Sequence, residues 1–198
     1  MSILRIESLA GPEAAPFLPA LARLRITVFR AFPYLYEGGE ADEQSYLTKF
    51  AASPRAGLIV AFDGETPVGC ATCMPLADAG AGVAAPFAAR GIPLDRVFYF
   101  GESVLRAEYR GQGAGVAFFT AREAHARRVS DADTAAFCAV QRAPDHPLRP
   151  PGYVPLDAFW HKRGFTPQPG MTCTMRWTQI DGPGQVENTL AFWTKPLR

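Results

Sequence analysis

Three glycines alternate with other residues in Arg110-Gly111-Gln112-Gly113-Ala114-Gly115, directly ahead of a helical run. Glycine lets backbone amides approach a bulky anion that side chains would fend off. The helix that follows adds unpaired N–H groups and the positive end of its dipole. Arg110 can supply a full charge. Together these features make a pyrophosphate cradle. A second candidate precedes it in the chain. Glu102 is the only carboxylate in the otherwise apolar run Val97–Leu105, and a carboxylate beside a cleft can act as a general base or hold a substrate. The rival reading pairs Glu102 with a buried arginine, Arg25 or Arg106.

Other groups able to act lie in loops. His146 follows Asp145 in a segment held by Pro144, Pro147, Pro150 and Pro151, and Tyr153 adds a hydroxyl. Phe32, Tyr34 and Tyr36 are candidates for a substrate wall, since loops joining helices often form one; core packing is the equal rival. His125 reads as a packed helix residue and His161 as a surface one. Cys70 and Cys73 have metal-like spacing, but three apart on a strand they point to opposite faces. Cys138 and Cys173 stand apart, so the expectation is four buried, reduced thiols and no metal.

The elements that must position these groups can be read along the chain. Leu4–Ser8 is a short strand, and Pro16–Phe29 a helix with Phe17, Leu21, Leu24 and Val28 on one face. Phe32–Gly39 is a loop, and a second helix covers Glu40–Ala52. Leu58–Phe62 and Pro67–Met74 form a hairpin around Asp63-Gly64. Pro75–Pro93 reads as irregular. Val97–Leu105 is a central strand, Gly113–Ser130 a helix, and Thr134–Val140 another buried strand. Gln141–Pro155 contains five prolines and is excluded from regular structure. Leu156–Arg163 is a short helix ended by Gly164. Met171–Thr178 and Leu190–Lys195 close the set around a turn at 181–184. The economical reading is one α+β domain with a mixed sheet, residues 1–198.

Composition narrows the function. Apolar residues are 48% and charged residues 20% of 198, with a formal net charge of +1, so nothing steers the chain toward nucleic acid or anionic lipid. No apolar run approaches the roughly 20 residues of a membrane span, and the N-terminus has no signal-like segment. The expectation is a cytoplasmic protein that binds neither nucleic acid nor membrane.

Three phosphate motifs compete for the glycine segment. A P-loop needs a lysine after the last glycine, and none is there. A dinucleotide fingerprint needs Gly-x-Gly-x-x-Gly near the first strand, whereas residue 116 is Val and the segment lies mid-chain. The third pattern, Arg/Gln-x-x-Gly-x-Gly/Ala, is met by Arg110, Gly113 and Gly115. With Val104-Leu105 before it and the aromatic-x-x-x-Gly-Phe segment Trp160 to Phe165 after it, this resembles the GNAT superfamily of acetyl-CoA-dependent N-acetyltransferases. The element order from Leu4 to Lys195 is similar as well.

The resemblance implies an acyl-CoA N-acyltransferase fold, a central mixed and mostly antiparallel sheet flanked by helices, opening as a V between two central strands. It implies acetyl-CoA as cosubstrate, held by Arg110, Gly111, Gln112, Gly113, Ala114 and Gly115. A backbone N–H of Val104 or Leu105, at a bulge, would serve the oxyanion, and Trp160 would close the site. Acetyl would pass directly to a primary amine on a small molecule or peptide, with Glu102 as base. The family often has Tyr where this chain has Trp160, and indole is no proton donor. Tyr153 or His146 is the substitute candidate for reaching the sulfur or the amine. A homodimer is left open, as is a non-catalytic acyl-CoA sensor.

Overall fold

The computed structural model describes residues 4–180, 182 and 184–198. Among these residues seven strands form one sheet: β1 (Arg5–Ala10), β2 (Gly57–Asp63), β3 (Thr66–Pro75), β4 (Val97–Leu105), β5 (Thr134–Val140), β6 (Thr166–Thr178) and β7 (Gln185–Pro196). Their order is β1-β2-β3-β4-β5-β7-β6. Every neighbouring pair is antiparallel except β4 and β5, which run parallel. The mixed sheet expected from the sequence is therefore present.

Among the described residues, five α-helices cover its two faces: α1 (Leu18–Phe29), α2 (Glu40–Ala51), α3 (Ala81–Ala88), α4 (Ala114–Val129) and α5 (Asp157–Lys162). Strand alternation sorts the core between them. On β2, Leu58, Val60 and Phe62 pack with Leu21 and Leu24 of α1 and Leu47 and Phe50 of α2. Ile59 and Ala61, one residue out of phase, pack with Phe118 and Phe119 of α4. Cys70 and Cys73 divide the same way, Cys70 with the α1–α2 side and Cys73 with the α4 side. All four cysteines are free and buried. Burial pushes the Cys73 thiol up to about 12.

Three sequence expectations need correction. Pro75–Pro93 is not irregular throughout, because Ala81–Ala88 forms α3, whose Val83, Ala84 and Phe87 cover β5, β6 and β7. Pro86 lies within that helix. The β6 strand starts at Thr166 rather than Met171, accommodating Pro167 and Pro169 through a register shift between Pro167 and Thr172. The β7 strand starts at Gln185 rather than Leu190. The turn expected at 181–184 includes Asp181 and Pro183, which lie outside the described residues.

One feature of the sheet positions a site. Pairing between β4 and β5 is confined to Val97–Tyr99 against Thr134–Ala136. Beyond Tyr99 and Ala136 the two strands run on without pairing, β4 bonding only to β3 and β5 only to β7. Backbone groups along both edges of that gap are left free for a guest.

Candidate functional site

The glycine segment lies where β4 meets α4, at the open end of the gap. Gly111 and Gly113 have φ of 76° and 87°, a left-handed region that other residues enter at a cost. A Cβ on either would meet nothing within 4 Å, so the space above them is open. Gly113 is the N-cap of α4 and brings no side-chain cap. The first intrahelical bonds are those of Val116 and Ala117 to Gly113 O, which leaves the N–H groups before them unused. Arg110, Gly111, Gln112 and Gly113 are all exposed. The segment is anchored by Tyr109, whose hydroxyl donates to Asp63 Oδ2 at 2.8 Å.

Gly115 also has a packing role. A Cβ there would come within 3.3 Å of the Phe159 ring, so Gly115 lets α5 pack closely on α4. Trp160, on the same helix, lies against Phe137 and Trp193 at centroid distances of 5.0 and 5.1 Å, which ties α5 to β5 and β7.

The bulge expected at Val104 or Leu105 lies further back. Ala71 pairs with Ser103 and Cys73 with Phe100, so Thr72 alone faces both Gly101 and Glu102. The extra residue changes the strand's phase. Phe98 and Phe100 point to the α4 face; simple alternation would send Glu102 there too. Instead Glu102 turns to the α1–α2 face, where Val104 also lies. Past the bulge, Arg106 donates its N–H to Val68 O at 3.0 Å. Antiparallel alternation then aims the N–H groups of Leu105 and Ser103 away from β3, into the gap. The Leu105 N–H is thus directed into the gap, whereas the Val104 N–H is turned toward β3.

Glycine at 101 is required by this geometry. A Cβ would stand 2.4 Å from Thr72 Oγ1. Gly101→Ala is therefore expected to cost about 1–3 kcal/mol, the usual penalty of overpacking, and to lower turnover by displacing Glu102. Urea titration checks the first effect and steady-state kinetics the second.

The carboxylate of Glu102 meets two partners from the helices, Tyr46 of α2 and Arg25 of α1. Its Oε2 accepts from Tyr46 Oη at 2.7 Å and lies 2.9 Å from Arg25 Nη1. Arg25 also pairs through Nε with Glu43, and its guanidinium lies 4.1 Å from the Tyr46 ring centroid. The arginine named as the rival partner is thus the actual one; Arg106 pairs instead with Glu108 at the surface. Burial opposes the charge on Arg25, but Glu102, Tyr46 and Glu43 more than offset it and raise its pKa above the ordinary value. Burial, then Glu102, raises the Tyr46 hydroxyl well above its usual range, so it stays a donor. The Glu102 side chain is 5% exposed, and its Oε1 has no hydrogen-bond partner among the described residues.

Aromatic residues from the loops gather nearby. Arg142 donates to Pro33 O at 2.7 Å and to Tyr34 O at 3.0 Å, and Trp177 Nε1 donates to Tyr34 O at 3.0 Å. These bonds bind the α1–α2 loop to the proline-rich loop and to β6. Phe32 meets Tyr153 at 4.7 Å and His146 at 5.7 Å, so those three predicted residues form one group. His146 Nδ1 accepts from the Leu148 N–H. Burial foremost raises the Tyr34 hydroxyl, which lies within electrostatic reach of Cys138, Arg25, Glu102 and Tyr153. Tyr34 is joined to the Glu102 group through Phe29, whose ring lies 4.4 Å from that of Tyr34 and 5.2 Å from the Arg25 guanidinium. Tyr36 turns elsewhere, toward Glu43, its hydroxyl raised by burial and by that carboxylate. Sequence reasoning missed Tyr46 and Glu43, which only the folding of α2 onto α1 brings to Glu102.

The other two histidines serve packing. His125 Nε2 bonds Arg55 O at 2.9 Å beneath Gly57, where a Cβ would strike its ring. His161 is exposed beside Trp193. Among the described residues no three His, Cys, Asp or Glu side chains gather to hold a metal, and no helix is long and apolar enough to cross a membrane.

The sequence pattern of the Acetyltransferase (GNAT) family matches residues 21–150. The fold is similar to that of a GCN5-related N-acetyltransferase from Kribbella flavida, 19% identical, with 98% of each chain covered and a TM-score of 0.57. It is similar to an acetyltransferase from Thermus thermophilus, 18% identical, with 99% of each chain covered and a TM-score of 0.57. A third similar structure is yncA of Salmonella typhimurium with its cofactor acetyl-CoA. It is 14% identical and covers 99% of this chain and 95% of its own, with a TM-score of 0.60. No curated protein matches the sequence.

Proposed function

We propose, from the premise that this chain belongs to the GNAT family of acetyltransferases and is an acyltransferase, that it transfers acetyl from acetyl-CoA directly to a primary amine. The observation that carries the reading is the half-open β4–β5 pair, with an open glycine cradle at one end and, on β4 beside the gap, Glu102 turned by the bulge to the α1–α2 face. Gly111 and Gly113 suit a pyrophosphate, since a Cβ on either would occupy the space the anion needs. Arg110 and the free N–H groups at the start of α4 complete that hold.

Acetyl-CoA supplies a thioester, an acyl donor whose leaving thiolate needs little help because thiols ionise near pH 8–9. The protein's work is then positional and electrostatic. The inward N–H groups of Ser103 and Leu105 offer donors to negative charge developing on the acyl oxygen. Glu102 takes the proton of the amine through Oε1, while Tyr46 and Arg25 hold Oε2 and fix the carboxylate's orientation. Tyr153 or His146 serves as proton donor at the sulfur, in place of the hydroxyl that Trp160 lacks. Direct attack calls for no metal ion. The enzyme works in the cytoplasm on a small-molecule or peptide amine.

The test is thiol release from acetyl-CoA across a panel of primary amines, followed with a thiol reagent. At least one amine is expected to drive release well above background hydrolysis. If acetyl-CoA binds yet no amine releases thiol, the transfer reading fails.

A further inference from the structure

Glu102 Oε1 is a buried acceptor atom with no hydrogen-bond partner among the described residues. Leaving such a group unpaired costs about 1–3 kcal/mol and more for a charged one, so an unpaired carboxylate oxygen in a folded protein calls for an occupant. Its surroundings say which kind. Arg25, Glu43 and Glu102 form a buried group with one positive and two negative charges, and the single guanidinium is shared between both carboxylates. The group is left with one negative charge in a low dielectric, where a cation is strongly attracted. Oε1 is thus suited to a donor that carries positive charge.

Above this anionic floor the walls change character. Tyr34, which connects floor to loops, stacks near Phe29 and Trp177 at 4.4 and 5.9 Å. Phe32 and Tyr153 continue the aromatic surface at 4.7 Å. Of the large apolar side chains standing exposed among the described residues, Leu148, Val154 and Leu156 all lie in or at the end of this proline-rich loop, at 40%, 74% and 54%. Exposed apolar side chains on one loop offer surface to an apolar guest. The nearby Arg142 guanidinium is already held by two backbone carbonyls.

From this juxtaposition we infer that the acceptor is a primary alkylammonium ion carried on an apolar, ring-bearing body. The ammonium binds Glu102 Oε1, and the body lies against Phe32, Tyr34, Tyr153 and Trp177. An α-amino acid is disfavoured, because its carboxylate would stand beside Glu102 with Arg25 already shared. A polyamine is disfavoured because its second ammonium would meet the like charge of Arg149, whose guanidinium lies 5.2 Å from the Tyr153 ring centroid. The inference rests on the amine-acetyltransferase reading and narrows it.

Matched acceptors test it on the wild-type chain. Phenethylamine and phenylalanine share one body and differ in the carboxylate; spermidine replaces the ring with further charge. Phenethylamine is expected to exceed both in kcat/KM by roughly 100-fold or more, since misplaced like charge costs several kcal/mol. Titration calorimetry without acetyl-CoA should show phenethylamine binding that weakens at least about tenfold in Glu102→Gln, the loss of one charge-assisted hydrogen bond. Higher kcat/KM for phenylalanine or spermidine overturns the inference and leaves the enzyme an amine acetyltransferase. Thiol release from no amine, with phenethylamine still bound through Glu102, overturns the transfer reading and upholds the recognition. Absence of phenethylamine binding together with absence of turnover overturns both.

Discussion

Glu102→Gln is expected to lower kcat by roughly 10²–10⁴-fold, the usual range for removal of a general base, with acetyl-CoA affinity nearly unchanged. The amide keeps the shape of the carboxylate and can still accept from Tyr46 at Oε2's position. It cannot take a proton. The substitution also lowers the negative charge of the Arg25–Glu43–Glu102 group by one, so it leaves no new unpaired charge behind and the fold should survive. That distinguishes it from removal of Arg25, which would strand two buried carboxylates, a change typically costing about 3–5 kcal/mol. Circular dichroism verifies the fold, and steady-state kinetics with calorimetry separates kcat from binding. Near-native turnover would take Glu102 out of the proton transfer and assign it to a chain of water.

What could be read in the chain, and what could not, follows from the range of the interactions involved. The glycine turn at the start of α4 was legible because its determinants are local: glycine spacing and the helix after it. The opposite faces of Cys70 and Cys73 were legible because strand periodicity alone fixes them. Glu102 was visible as a lone carboxylate, but its direction was not. Counting by twos from Phe98 and Phe100 places it under α4, and only the bulge opposite Thr72 turns it over. Gly101 was the available signal, since glycine inside a strand often marks a bulge or a close approach.

Longer-range features were harder. Tyr46 and Glu43 lie 56 and 59 residues before Glu102 in the chain, and no pattern in α2 announces what it will meet. Arg25 was named, though without a reason to prefer it over Arg106. In β6, Pro167 and Pro169 act as local breakers and hid the first part of the strand, while pairing along β7 overrode them. In α3, Pro86 and the neighbouring small residues hid a helix whose stability comes from laying Val83 and Phe87 on the sheet. In each case tertiary burial outweighed a weak local preference.

Gly113→Glu is the substitution expected to damage cosubstrate binding most. Gly113 holds φ 87° and ψ −11° at the N-cap of α4. A non-glycine residue in that left-handed conformation costs roughly 1–2 kcal/mol, which should appear as a lower melting temperature but not as unfolding. The larger effect is on the anion. The new side chain starts in open space, where the cradle must admit a pyrophosphate, and it carries a charge of the same sign. It also competes for the unpaired N–H groups at the start of α4, which favour any nearby carboxylate. Acetyl-CoA affinity should fall at least about tenfold, or about 1.4 kcal/mol. Gly113→Ala separates the causes, since it brings the backbone strain without the charge and should lose only part of the affinity. Calorimetric titration of both folded variants decides the matter: unchanged affinity in Gly113→Glu would move the pyrophosphate away from this loop, and equal losses in the two would assign the effect to backbone strain alone.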